Sequence, residues 1–236
     1  MTTVISSPEQ ASPNAAFLNA LGPALDTVAI HEKAAGMARY MKSTMPFKGV
    51  PSPAVRKTVR ALAKEHPFSS VAELLATVSH LWDEASYREE RYAAIMLTDS
   101  KLGRGEPTLL PFYAVVIRTG QWWDYVDSVV PRLCGLLQRD RTAMEEVLRE
   151  WSTHPNFWFR RAAIISQLAA KSSTDTQLLS EVIAPNLADR EFFIRKAIGW
   201  ALRQHARTDP VWVRHYVAVH EEQLSPLSRR EALKQL

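Results

Sequence analysis

Cysteine is nearly missing from this chain: Cys134 is alone among 236 residues. A single thiol excludes an intramolecular disulfide framework and any cysteine-cluster metal site. Glycine is scarce too, with eight in all, and none of them builds a phosphate-binding loop. A nucleotide-binding α/β architecture therefore has almost nothing to stand on. Paired-histidine zinc motifs and calcium loops are also lacking, and the seven histidines are scattered. His154, His205 and His220 read as surface or capping residues, so neither a metal nor a cofactor is expected. No apolar run reaches membrane-spanning length, and no basic leader followed by an apolar stretch opens the chain. These absences point to a cytoplasmic protein without membrane attachment.

What is present looks like an ordinary globular chain, 46% apolar and 23% charged. Its length suits one large domain or two small ones, and easily supports a core. The formal charge is +4 and the pI about 9.3. That balance favours an anionic partner, although many basic proteins bind nothing anionic. The first sixteen residues are rich in Ser, Pro, Asn and Ala. They suggest a disordered or weakly ordered arm over 1–14, followed by one domain over 15–236.

Helical periodicity runs almost throughout. Ser52-Pro53, Asp209-Pro210 and Ser225-Pro226 each supply a cap and a first-turn proline. Ser70 with Glu73, and Ser228 with Glu231, have capping-box spacing. The expected helices are 15–41, 54–65, 70–80, 85–99, 107–119, 122–138, 141–151, 156–170, 175–188, 191–207, 210–220 and 226–234. Consecutive pairs of such helices suggest an all-α fold, an α-solenoid of HEAT-like repeats curved around a concave basic groove. Asn156-Phe157-Trp158-Phe159-Arg160-Arg161 and Glu191-Phe192-Phe193-Ile194-Arg195-Lys196 share an aromatic pair, an apolar residue and a basic pair, 35 residues apart. Leu81-Trp82-Asp83-Glu84 holds a comparable place in an earlier unit. A simple helical bundle is the alternative.

Chemistry concentrates in Gln121-Trp122-Trp123-Asp124-Tyr125-Val126-Asp127. On a helical wheel Trp122, Val126, Val129 and Leu133 form the core side, whereas Trp123 and Asp127 can face a groove. The plain alternative for Asp127 is a surface acid or an ion pair with a nearby arginine. Arg161 emerges from an otherwise apolar side and needs a carboxylate, a phosphate or a backbone partner. In the 191–207 helix, Lys196, Trp200, Arg203 and Arg207 share one face. A tryptophan in a basic stripe suits phosphate and sugar contact, and Arg195 and Arg214 extend the basic segment. Nearer the start, Lys48, Arg56 and Lys57 follow a proline-rich turn and are candidate backbone contacts, or parts of a solvated linker.

Four segments in this order resemble the bacterial DNA alkylation repair enzymes of the AlkD type, alkylpurine DNA glycosylases built from HEAT-like repeats. They are 41–50 (MKSTMPFKGV), 122–127 (WWDYVD), 157–164 (FWFRRAAI) and 193–203 (FIRKAIGWALR). The resemblance covers nearly everything after the N-terminal arm. It implies excision of cationic N3- and N7-alkylated purines, such as 3-methyladenine and 7-methylguanine, from double-stranded DNA by a monomer, with the base left stacked rather than flipped. It also implies catalytic roles for Asp127, Trp123, Trp200 and Arg161, with Arg160 the less favoured match to the cleft arginine. Tyr40 matches a further cleft aromatic. Arg161 and the basic stripe would hold phosphates. Two other readings stay open: a non-catalytic helical-repeat protein binding damaged or branched DNA, and a solenoid binding an acidic peptide.

Overall fold

A computed structural model describes residues 11–236. Residues 1–10 of the expected arm lie outside the described residues. Asn14, at the end of that arm, has a defined place: its side chain caps the first helix by accepting from the Phe17 N–H at 2.9 Å, and its backbone N–H donates to Thr77 Oγ1 at 2.8 Å. The described residues form thirteen α-helices and no strand. They group into two compact units that divide between Phe112 and Tyr113.

The first unit holds α1 (Ala15–Thr27), α2 (His31–Met41), α3 (Ser52–Glu65), α4 (Val71–Asp83) and α5 (Arg88–Leu97). Phe17, Leu21 and Leu25 recur every fourth residue, so α1 buries one stripe, and it packs on α3. α5 packs against α3 and α4. The expected helix over 15–41 is in fact two helices. The chain breaks at Val28–Ile30 because the Ile30 N–H donates to the Gly49 carbonyl at 3.1 Å. Gly49 has φ +91°, and a Cβ there would lie 2.3 Å from the Ile30 oxygen. Only glycine permits that approach. The same loop is anchored by the fully buried Glu89, whose carboxylate accepts the N–H groups of Lys48, Gly49 and Val50 at 2.9–3.0 Å.

The helix α6 (Leu110–Gly120) follows a short 3-10 turn at Pro107–Leu109. The second unit then continues with α7 (Trp123–Arg139), α8 (Arg141–Ser152), α9 (Phe157–Ile165), α10 (Thr176–Ile183), α11 (Phe192–Ala206), α12 (Pro210–Val219) and α13 (Pro226–Ala232). α7, α9 and α11 pack side by side, while α8 and α10 form a second layer behind them. This is the two-helix repeat expected from the 35-residue spacing, an all-α helical-repeat fold. Polar side chains cap successive starts: Asn156 for α9, Asp175 for α10, Glu191 for α11 and Asp209 for α12.

Several expected boundaries shift for local reasons. α9 stops at Ile165 rather than 170 because the Gln167 side chain bonds both the N–H and the carbonyl of Asp175, turning the chain. α10 gives way to a 3-10 turn over Ala184–Asn186, where Pro185 lacks an amide for a helical bond. At α3, Pro51 takes the cap position and Ser52 already belongs to the helix. Ser70 caps Glu73, but the Glu73 carboxylate reaches one residue further back, to the Ser69 N–H. Ser228 and Glu231 are no capping box at all. Ser225 caps α13, Ser228 Oγ donates to the Arg195 carbonyl, and Glu231 pairs with cations of α11.

Candidate active site

Three helices of the second unit bring the main candidates together. Gly120 ends α6, and Gln121 sits in the left-handed region at φ 43°, turning the chain so that Trp122 caps α7 and Trp123 opens it. Trp122 is half-buried rather than deep in the core. Its ring packs against Trp158 of α9 and Phe193 of α11, at 6.4 and 5.7 Å between centroids. Trp158 and Phe193 lie closer still, at 4.8 Å with their rings tilted. An aromatic cluster thus ties the starts of α7, α9 and α11 to each other. Trp123, beside it, is also half-buried.

One turn along α7, the Asp127 carboxylate meets the Arg161 guanidinium of α9. Arg161 Nε donates to Asp127 Oδ1 and Nη2 to Oδ2, both at 2.8 Å, while Nη1 donates to the Phe193 carbonyl of α11 at 2.8 Å. The fork geometry is the strong, orientation-fixing kind. The side chain of Arg161 is 5% exposed and that of Asp127 16%. So the arginine predicted to need a partner has a carboxylate and a backbone carbonyl. Its guanidinium carbon also lies 5.9 Å from the centre of the Trp200 ring on α11. Asp127, Arg161 and Trp200, taken from three separate stretches of sequence, form one constellation.

Burial pushes the Asp127 carboxyl above its ordinary range, and the nearby Asp124 adds to the rise; the hydrogen bonds and charge of Arg161 pull against it. Asp124 itself is buried and accepts the Tyr125 N–H at 2.9 Å. The Arg161 fork occupies one lone pair on each Asp127 oxygen, so each oxygen retains a second. The anion is held in place, poorly solvated, and still able to accept. Among the described residues, no group of three or more His, Cys, Asp or Glu side chains is placed to hold a metal ion.

The remaining cations sort by their partners. Arg160 bonds the His154 and Pro155 carbonyls and pairs with Asp189 at 2.8 Å. Lys196 and Arg203 both pair with Glu231, at 2.9 and 2.5 Å. Arg207 donates to Gln235 and pairs with no carboxylate among the described residues. Arg195 has no ion pair among the described residues, and its Nε is buried without a hydrogen-bond acceptor. Arg214 is exposed. In the first unit, Lys48 pairs with Asp26 at 2.6 Å and lies 4.3 Å from the Tyr87 ring centre, while Arg56 faces Asp99 at 3.7 Å. Lys57 is exposed, and Tyr40 is 72% exposed.

Two residues have roles that the sequence did not reveal. Phe193 supplies the carbonyl that completes Arg161's bonding and a ring in the aromatic cluster. Its position 35 residues after Trp158, in a matching repeat, is the signal for it. Glu231 gathers two of the three cations of the basic stripe, Lys196 and Arg203, and Gly199 allows it to do so. A Cβ at Gly199 would sit 2.5 Å from the Glu231 Cβ and 2.9 Å from the Ser228 oxygen. A glycine inside an otherwise regular helix is the trace of that close packing.

Comparison with known proteins agrees with this architecture. The model of a family described as DNA alkylation repair enzyme matches residues 22–236. A solved structure described as a predicted DNA alkylation repair enzyme from Enterococcus faecalis is similar at a TM-score of 0.78 and 32% identity, over 88% of this chain and 96% of that one. No curated protein sequence matches. Among the described residues, no helix is long and apolar enough to cross a membrane.

Proposed function

Because the chain belongs to the DNA alkylation repair enzyme family, we propose that it is a monofunctional alkylpurine DNA glycosylase. Its substrates in this reading are cationic N3- and N7-alkylated purines, such as 3-methyladenine and 7-methylguanine, in double-stranded DNA. The observation that carries the reading is the Asp127 carboxylate, clasped by the Arg161 fork beside the Trp200 ring.

Alkylation at N3 or N7 makes the base a cation and a ready leaving group. As the C1′–N9 bond breaks, its electron pair neutralises the base and positive charge develops on the deoxyribose. A fixed, under-solvated carboxylate stabilises that charge more than water does, since it needs no reorganisation as the reaction proceeds. The free lone pairs of Asp127 face this task and accept a hydrogen from the attacking water. Water's oxygen bonds to C1′, and its proton leaves to solvent. Trp123 and Trp200 present ring faces to the sugar, where the quadrupole favours developing positive charge. Arg161 acts through Asp127 and is a positioning residue. Phosphate contact falls to Arg195 and Arg207, whose charges no carboxylate meets among the described residues, and to Lys57. The base remains stacked throughout.

The test is release of free base from duplex containing 7-methylguanine, run beside Asp127→Asn. Release by the parent and a loss of about 10²–10³-fold in the variant is expected, with duplex affinity kept or improved because a negative charge is gone. No release from either the 7-methylguanine or the 3-methyladenine duplex, with duplex binding intact, would instead favour a non-catalytic DNA-binding protein.

A further inference from the structure

A second surface of the same unit has a different chemistry. α12 and α13 enclose an open groove of about 600 Å³. Val217, Leu233 and Leu236 contribute its apolar lining, and Arg214, Arg229 and Arg230 its charge. Three guanidiniums stand against one side-chain carboxylate, Glu221, which is bonded to Arg229 at 2.7 Å. That pair is mostly exposed, with 67% of the Glu221 side chain open to solvent, so it binds weakly and exchanges readily. Leu233 remains 39% exposed within the groove. A lone exposed leucine is ordinary, but one framed by arginines in a volume of this size has the makings of an anchor site.

We infer that this groove docks an acidic peptide segment of a protein partner, one that carries aliphatic side chains among its carboxylates. Charge complementarity selects the acids: among the described residues Arg214 and Arg230 have no carboxylate partner, and guanidiniums take carboxylates bidentately. The apolar floor selects the aliphatic residues, which would cover Leu233. Nucleic acid fits the groove poorly. A phosphate backbone gains nothing from an aliphatic floor, and bases need aromatic rings to stack on; no aromatic residue lines the groove. Arg214, a candidate for DNA contact from its sequence alone, also lines this groove.

The probe is a short fluorescein-labelled peptide of aspartates and glutamates with two leucines one helical turn apart, titrated with the full chain while anisotropy is read. Saturable binding is expected. It should weaken by at least about tenfold when the leucines become serines, when the acids become their amides, or when the protein carries Leu233→Asp or Arg230→Glu. Both substituted side chains are exposed, and thermal melts verify that the variants fold. The inference is overturned by equal binding of the serine peptide, by undiminished binding to folded Leu233→Asp, or by unlabelled undamaged duplex displacing the peptide at similar concentration. None of these readouts involves base release, so they stand or fall apart from the glycosylase reading.

Discussion

Two acids of the second unit, Glu231 buried and Asp127 partly so, are each held by arginine or lysine, yet they behave oppositely. Glu231 on α13 is bonded by Lys196 and Arg203 together, and these contacts, the Lys196 hydrogen bond first, hold its carboxyl below the ordinary range. Asp127 on α7 has one guanidinium, and burial outweighs it, so its carboxyl rises. Glu231 is an over-compensated anion whose charge is fully used in clamping two helices. Asp127 is an under-compensated one, fixed in direction yet still seeking positive charge. An ion pair does not by itself mark a site; in the proposed reading, the balance between burial and compensation separates Glu231 as a clasp from Asp127 as a reagent.

Exchanging each acid for its amide sharpens this contrast most. Asp127→Asn should lose nearly all base release while melting close to the parent, since the amide oxygen still accepts one Arg161 bond. Glu231→Gln should do the reverse. It should lower stability by about 1–3 kcal/mol in a urea titration and leave the release rate per folded molecule near the parent's. Equal activity losses in both variants would erase the distinction.

Arg161→Lys is expected to have a smaller effect, lowering kcat by about 10–100-fold with little change in KM. Its pH profile tells a positioning role from a merely structural one. In the parent, the acid limb of the single-turnover rate should lie above the ordinary aspartate value of 3.8. Loss of the two-bond fork removes a lowering influence, so the limb should move to still higher pH. An unmoved limb would mean that Arg161 does not govern Asp127. The linkage signs also differ. Glu231, with its lowered folded value, adds stability above its unfolded value near 4.5 that is lost as pH falls through the folded one. Asp127, with its raised value, works against folding as pH rises from its unfolded value near 3.8 through the higher folded one.

Smallest in effect is His205, buried beside Trp212 with neither ring nitrogen hydrogen-bonded. Burial lowers its pKa below 6.5, against a weaker opposing pull from Asp209. The neutral ring is therefore the folded form, and its contribution is present above the unfolded value and lost as pH falls through the folded one. A melting-temperature series across mildly acidic pH should show this loss in the parent. It should be blunted in His205→Phe.

Most of the helical order was legible because caps and apolar spacing are local. Asp209 and Ser225 announce their helices, and the 35-residue repeat announces the pairing of layers. What escaped was set at long range. Nothing near Val28 foretells a break that depends on Gly49, and Ser228 with Glu231 satisfies a local rule that tertiary partners override. The site divides in the same way. Arg161's need for a partner was visible from its apolar neighbours, but not which of its possible partners it takes. The pairing of Lys196 and Arg203 with Glu231 stayed hidden because that acid lies 35 and 28 residues away along the chain, on a helix of its own.

One guanidinium bonds a side chain on α7 and a backbone carbonyl on α11 from its seat on α9. In repeat folds, stability is a chain of couplings between neighbours, and segments can detach without the whole unit unfolding. Arg161 makes the site a cooperative property of three successive helices. Loosening α11 alone takes away Trp200 and frees Nη1, and the fork on Asp127 loses its alignment. Activity should therefore vanish on warming before α7 and α9 melt, which makes base release an early reporter of local opening.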